Sequence, residues 1–388
     1  MPSTSDIDRV LQSAIDRGDV PGVVAMAATR EGPCYAGAFG RRALPDGAAM
    51  TPDSVFWIAS MTKAITSTAA MQLVEQGKLA LDRPIAEVLP ELAAPQVLEG
   101  FGAAGEPRLR PANGPITLRH LLTHTAGFVY AIWYPDMGRY MEMQGIPDIF
   151  TCKNAALLVP LAFDPGAQWQ YGINIDWVGK AVERASGQTL GAYCAEHLFG
   201  PIGMPDTAFQ LTPERQRRVV GVHQRGPDGA LAPMEFGLPP DAEFEMGGGG
   251  LYGTAADYLA FERVFLNEGR ANGRQVLRSD TVRLMCQNAM GAINVQALPP
   301  APPYSNQAEF YPGMVKKWGL AFMISTEAVA GARSAGSLTW AGLANTYFWI
   351  DPAKGVAGVI LMQLLPFADA KALALYDGFE KAVYATLG

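Results

Sequence analysis

Ser60 and Lys63 stand three residues apart in Ser60-Met61-Thr62-Lys63. If the segment is helical, residues i and i+3 share a face and the hydroxyl and amine become neighbours. A serine attacks a carbonyl only when a base takes its proton. Lysine is such a base only when neutral, and both burial and the positive end of a helix dipole lower its pKa. The backbone N–H of Ser60 would also point at a substrate carbonyl oxygen, giving half of an oxyanion hole. The plain alternative is a helix N-cap serine with a solvated lysine one turn on. An S-x-x-K match arises about once by chance in a chain of this size, so its surroundings must decide.

Those surroundings place Ser60 between a buried apolar run, 56–59, and a helix expected over 61–76 that Gly77 stops. Helical spacing also marks 6–17, 116–124, 176–186, 190–198, 255–267, 279–287 and 368–387. Two β-rich stretches, 22–29 and 34–40, flank the turn residues 30–33 as a hairpin. Near the end, 319–325, 337–341, 345–351 and 356–362 read as short strands. The proline-rich stretch 296–313 reads as a surface excursion. Strands at both ends with helices between them suggest an α/β plus all-α architecture. An α/β subdomain would come from 1–60 and 318–388, a mainly helical one from 61–317, and a cleft would lie at their junction.

The chain has 388 residues, 49% of them apolar and 17% charged, so a large core can form. The net charge of −7 and the lack of clustered Lys and Arg argue against a nucleic-acid partner. The densest basic group, Arg215, Arg217 and Arg218, reads as an exposed loop or helix end. No apolar run approaches the ~20 residues of a membrane span, and the first residues show no export signal. Cys34, Cys152, Cys194 and Cys286 lack CxxC spacing and read as four buried or half-buried thiols of a reduced, cytoplasmic protein. The four histidines form no HExxH pattern, so neither a metal nor another cofactor is expected.

Further segments carry a resemblance. Ser60–Lys63 is followed by VEQGKLALD, then LRHLLTHTAG at 118–127, Asp164-Pro165-Gly166 before Trp169-Gln170-Tyr171, DWVGKAVERASG at 176–187, GGGGLYGT at 247–254 and Trp340-Ala341-Gly342. Together and in this order they resemble the serine β-lactamase and penicillin-binding-protein superfamily over nearly the whole chain. Within it they look like the esterases and acyltransferases related to class C β-lactamases, the family VIII carboxylesterase and statin-type acyltransferase branch. The resemblance implies an antiparallel sheet flanked by terminal helices, with an inserted helical subdomain. It also implies that Ser60 is the nucleophile, Lys63 a general base and Tyr171 a proton relay. Lys63 would supply the positive charge that lowers the Tyr171 pKa. The N–H of Leu343 would complete the oxyanion hole with that of Ser60.

Two departures from the superfamily pattern matter. Tyr-x-Asn is replaced by Tyr171-Gly172-Ile173-Asn174, which leaves Asn174 one place late as an amide contact. Lys-Thr/Ser-Gly is replaced by Trp340-Ala341-Gly342. An indole cannot pair with a carboxylate but packs against apolar groups, which argues against efficient β-lactam or D-Ala-D-Ala chemistry. Trp340, Gly342, Asn174, Trp133 and Tyr130 are the candidate substrate-binding residues. Core packing explains Trp133 and Tyr130 about as well.

His124 invites a Ser–His pairing but reads as a satisfied core or loop residue, and neither Asp176 nor Asp351 is tied to it. Ser334 resembles a nucleophile elbow without the required glycine or context. Gly247–Gly250 reads as close packing at a cleft wall. The expected function is hydrolysis of small-molecule, short-chain or small-alcohol esters through an acylated Ser60, with accompanying acyl transfer. The alternatives are a dedicated acyltransferase of secondary metabolism, a D-amino-acid peptidase or β-lactamase, and a silent scaffold on the same fold.

Overall fold

The computed structural model describes residues 4–387; residues 1–3, where the segment read for an export signal begins, lie outside that range. Its centre is a seven-stranded antiparallel sheet built from β1 (Gly22–Thr29), β2 (Pro33–Gly40), β3 (Lys316–Trp318), β4 (Met323–Ser325), β5 (Leu338–Gly342), β6 (Thr346–Asp351) and β7 (Val356–Leu361). The spatial order is β3-β4-β5-β6-β7-β1-β2, so β1 from the start of the chain pairs with β7 near its end.

Both faces of this sheet are covered, which explains why β6 and β7 are buried at every position rather than alternating. Helix α1 (Thr4–Asp16) and the closing helix α7 (Ala370–Leu387) pack on one face. There Tyr347 stacks on Tyr376, and Trp349 meets Phe379 edge-on. Phe348, between them in sequence, points to the other face and packs on Tyr258 of α6 (Ala255–Leu266). That is the period-2 alternation of a strand.

Helix α2 (Thr62–Glu75) runs behind the sheet with residues Thr62–Leu73 all buried. Thr66 and Thr68 survive there because their hydroxyls donate to Gly247 O and Ala64 O. Helix α5 (Asn174–Ser186) packs along α2 and also contacts α3 (Leu118–Leu122), whose Thr117 cap accepts from His120 N; between α3 and α5 in the chain lies α4 (Pro135–Gln144). Residues between α2 and β3 also form small sheets, including the hairpin Gln96–Phe101/Pro107–Pro111.

Three local expectations change. The stretch 319–325 is not one strand: Gly319 N–H donates to Phe322 O, turning the chain between β3 and β4. The proline-rich segment is not wholly superficial, since Phe310 packs on Trp340, Tyr347 and Phe367. Cys34 is exposed rather than half-buried, because β2 is the outermost strand; all four cysteines are free thiols. Among the described residues no helix is long and apolar enough to cross a membrane.

Candidate active site

A short 3-10 turn, Ala59–Met61, joins the strand Phe56–Trp57 to α2. Ala59 sits at φ +46, in the left-handed region. This sharp entry puts Ser60 at the head of α2 and on the wall of an apolar cavity. The cavity holds about 790 Å³ of space including its mouth, and Trp57, Trp133, Phe150, Met246, Trp340 and Leu343 supply much of its lining.

Lys63 follows one helical turn later and is only 2% exposed. Its Nζ donates to Ser60 Oγ at 3.1 Å, to Tyr130 Oη at 2.9 Å and to the carbonyl of Gly248 at 2.5 Å. Burial brings its pKa down to about 7, partly opposed by the charge of Asp176. The amine is therefore within reach of deprotonation near neutral pH.

Tyr171 is buried, and its hydroxyl interacts with that of Ser60 and accepts from Trp340 Nε1 at 2.9 Å. Burial raises its pKa far above the ordinary phenol value, outweighing these two contacts. The expectation that Lys63 holds this phenol down therefore fails. Lys63 lies over the Tyr171 ring, 4.6 Å from its centroid, and directs its hydrogen bond to the other tyrosine, Tyr130.

The N–H groups of Ser60 and Leu343 donate to no acceptor among the described residues, and both residues line the cavity. Trp340, Trp133 and Tyr130 line it as well. Two other candidates do not. Asn174 is fully buried behind the wall, where its amide donates to Phe128 O at 3.0 Å and to His124 Nδ1 at 3.1 Å, so it cannot contact a substrate amide. Gly342 is packed against Ile58, Ala59 and Thr346, where a side chain would collide, so its role is to let β5 approach the Ser60 turn.

The decoys separate clearly. His124 is buried at φ +58 with burial holding its pKa well below normal, and it makes no hydrogen bond to Ser60. Its Nε2 lacks a partner, so it is a packed rather than a satisfied histidine. Ser334 lies in a turn where its N–H donates to Asp351. Gly248 and Gly249 form part of the cavity wall.

Two further groups belong to the Lys63 environment. Tyr130, a candidate for pocket lining, is a hydrogen-bond partner of Lys63, and nothing in its local sequence marks it as one. Asp176, which has no tie to His124, is 0% exposed and accepts from Gly248 N at 2.9 Å. One signal was available for it. Gly179 shares its helix face and allows Gly247 to pass within 3.6 Å of where a Cβ would sit.

The Beta-lactamase family profile matches residues 7–380. The chain belongs to the Beta-lactamase family. Among relatives, monacolin J acid methylbutanoyltransferase of Aspergillus terreus is 34% identical, with 98% of this chain and 95% of that protein aligned. A lovastatin esterase of Penicillium rubens is 32% identical over 97% of this chain and 98% of its own length. Among solved structures, unliganded simvastatin synthase from Aspergillus terreus superposes with a TM-score of 0.83 at 32% identity, covering 99% of both chains. This Beta-lactamase family member is thus a serine hydrolase-type enzyme whose relatives include both acyltransferases and an esterase.

Proposed function

We propose that the protein transfers a small acyl group from an ester or thioester to an alcohol through an acylated Ser60, with water as the competing acceptor. The observation that carries this reading is the cluster of Ser60, Lys63, Tyr130 and Tyr171 at the wall of an apolar cavity. Neutral Lys63 accepts the Ser60 proton as Oγ attacks the donor carbonyl. The oxyanion is held by the N–H groups of Ser60 and Leu343. Collapse of the tetrahedral species breaks the bond to the leaving group, which takes a proton from Lys63 through the tyrosine hydroxyls. An acceptor alcohol then repeats the cycle in reverse, giving its proton to Lys63 and forming the new ester.

Acyl transfer is placed ahead of the hydrolysis expected from the sequence. The apolar lining disfavours water at the acyl-enzyme, and the transferase relatives align over nearly the full chain. Hydrolysis remains the second reading, supported by the esterase relative. Trp340, with its N–H committed to Tyr171, offers no cation for the carboxylate of a β-lactam or a D-peptide.

The test is intact mass after brief exposure to a short-chain nitrophenyl ester, followed by peptide mapping. An acyl group on the Ser60 peptide supports the mechanism, and partitioning of the acyl group between added alcohol and water ranks the two activities. Folded protein that takes up no acyl group and releases no nitrophenol would overturn it in favour of the silent scaffold.

A further inference from the structure

We propose that Asp176 is a positioning residue that, through the Gly248 segment, sets both the orientation and the protonation of Lys63. The proposal rests on the reading of Lys63 as the base.

An ammonium at Lys63 has three hydrogens for three acceptors, the oxygens of Ser60, Tyr130 and Gly248. A neutral amine has two hydrogens and one lone pair. The two hydroxyls can reverse and donate to that lone pair, but the Gly248 carbonyl can only accept. One amine hydrogen therefore stays on Gly248, and the lone pair is left to face Ser60 or Tyr130. The position of a single carbonyl thus aims the base.

That carbonyl is held from several directions. Asp176 Oδ1 accepts from Gly248 N, across one Cα from the carbonyl that Lys63 uses. The flanking carbonyls are fixed as well, Gly247 O by Thr66 Oγ1 at 2.8 Å and Gly249 O by Trp57 Nε1 at 2.7 Å. A Cβ on Gly248 would stand 2.5 Å from Asp176 Oδ2, so only glycine lets the carboxylate approach. Asp176 Oδ2 is buried and has no hydrogen-bond partner. A carboxylate left half-satisfied away from water is costly as structural packing, which a neutral side chain would serve better. What it offers here is a charge that acts on Lys63.

Burial drives the Asp176 pKa up to about 6 and that of Lys63 down to about 7, and each charge opposes the other's shift. The charge of Asp176 also reaches Tyr130, Tyr171 and Cys152, and that of Lys63 reaches His124, with Asp148 acting on Tyr130 as well; none of these groups supplies a second cation to the pair. Asp176 therefore keeps Lys63 protonated to a higher pH than burial alone would allow. It lets the amine hold a proton between serine deprotonation and departure of the leaving group.

The experiment is the pH profile of kcat/KM for Asp176→Asn with a nitrophenyl ester, beside wild type. Asparagine keeps an acceptor for Gly248 N–H but removes the charge. The acid limb is expected to move down by about one pH unit, and an unmoved limb, whatever the loss of rate, would reduce Asp176 to packing. A measurement independent of turnover guards against misfolding of that variant. Lys63→Met leaves the carboxylate buried and unpaired, so adding Asp176→Asn to it should raise Tm at pH 8, with the gain shrinking as pH falls and largely gone by about pH 4, the unfolded carboxylate pKa. A double variant no more stable than Lys63→Met at pH 8 would overturn the proposal. Absence of any Ser60 adduct in wild type would instead count against the base reading.

Discussion

The indole N–H of Trp340 donates to the hydroxyl of Tyr171 over 2.9 Å, and the two rings pack with centroids 4.8 Å apart. A tryptophan here, where penicillin-recognising relatives usually carry lysine, therefore does more than remove a cation. It occupies one lone pair of the Tyr171 oxygen and leaves the phenolic hydrogen free to face Ser60.

Replacing Trp340 by Phe keeps most of the ring packing against Trp318 and Phe310 but removes that donor. A buried acceptor that loses its partner costs roughly 1–3 kcal/mol. With Tyr171 no longer fixed beside Ser60, the kcat/KM for a nitrophenyl ester should fall about 10- to 100-fold, while Tm drops by only a few degrees. Steady-state kinetics beside a thermal melt separate this from unfolding; full activity in Trp340→Phe would make the contact incidental.

The two tyrosines should fail differently. Tyr130→Phe removes an acceptor of Lys63, so the pH dependence of turnover should change along with its rate. Tyr171→Phe leaves all three hydrogen bonds of Lys63 in place and removes the hydroxyl that interacts with Ser60. Its rate should drop about 100-fold or more with the acid limb unmoved. Identical profiles for the two variants would contradict this division.

Much of this was legible in the sequence because it depends on local spacing. The Ser60–Lys63 turn, the helix that follows and the strands 345–351 and 356–362 all announce themselves by period and composition. The Lys63 environment did not, because its members meet only after folding. Tyr130 and Gly248 lie 67 and 185 residues from Lys63. Asn174 was a candidate on motif position alone, yet its helix turns the amide behind the wall onto Phe128 and His124. The Tyr171 pKa was not legible for an energetic reason: a nearby cation favours a phenolate, but burying that phenolate costs more.

If neutral Lys63 is the base, as proposed, kcat/KM should rise with pH through about 7, where burial places this group. Asp176 is coupled to it and titrates near 6, so the rise belongs to the pair and should be broader than a single ionisation. Lys63→Arg holds the charge at every accessible pH and should leave less than about a hundredth of the activity across the profile. A flat wild-type profile between pH 5 and 9 would exclude Lys63 as the base.

Glu262 of α6 is fully buried, and neither carboxyl oxygen has a hydrogen-bond partner. Burial alone drives its pKa well above the usual carboxylate value, so the folded protein holds a proton that the unfolded chain releases. A group with a raised folded pKa contributes its stability below the unfolded pKa, and that stability is lost as pH climbs toward the folded value. Each unit of the raise is worth about 1.4 kcal/mol. Glu262→Gln removes the ionisation, so at pH 8 its Tm should exceed wild type by roughly 2 °C or more, with the gain shrinking as pH falls and vanishing only below about pH 4, under the unfolded carboxylate pKa. Thermal melts of both proteins across this range check it. A constant difference at every pH would show that packing, and not a proton, sets the effect of this residue.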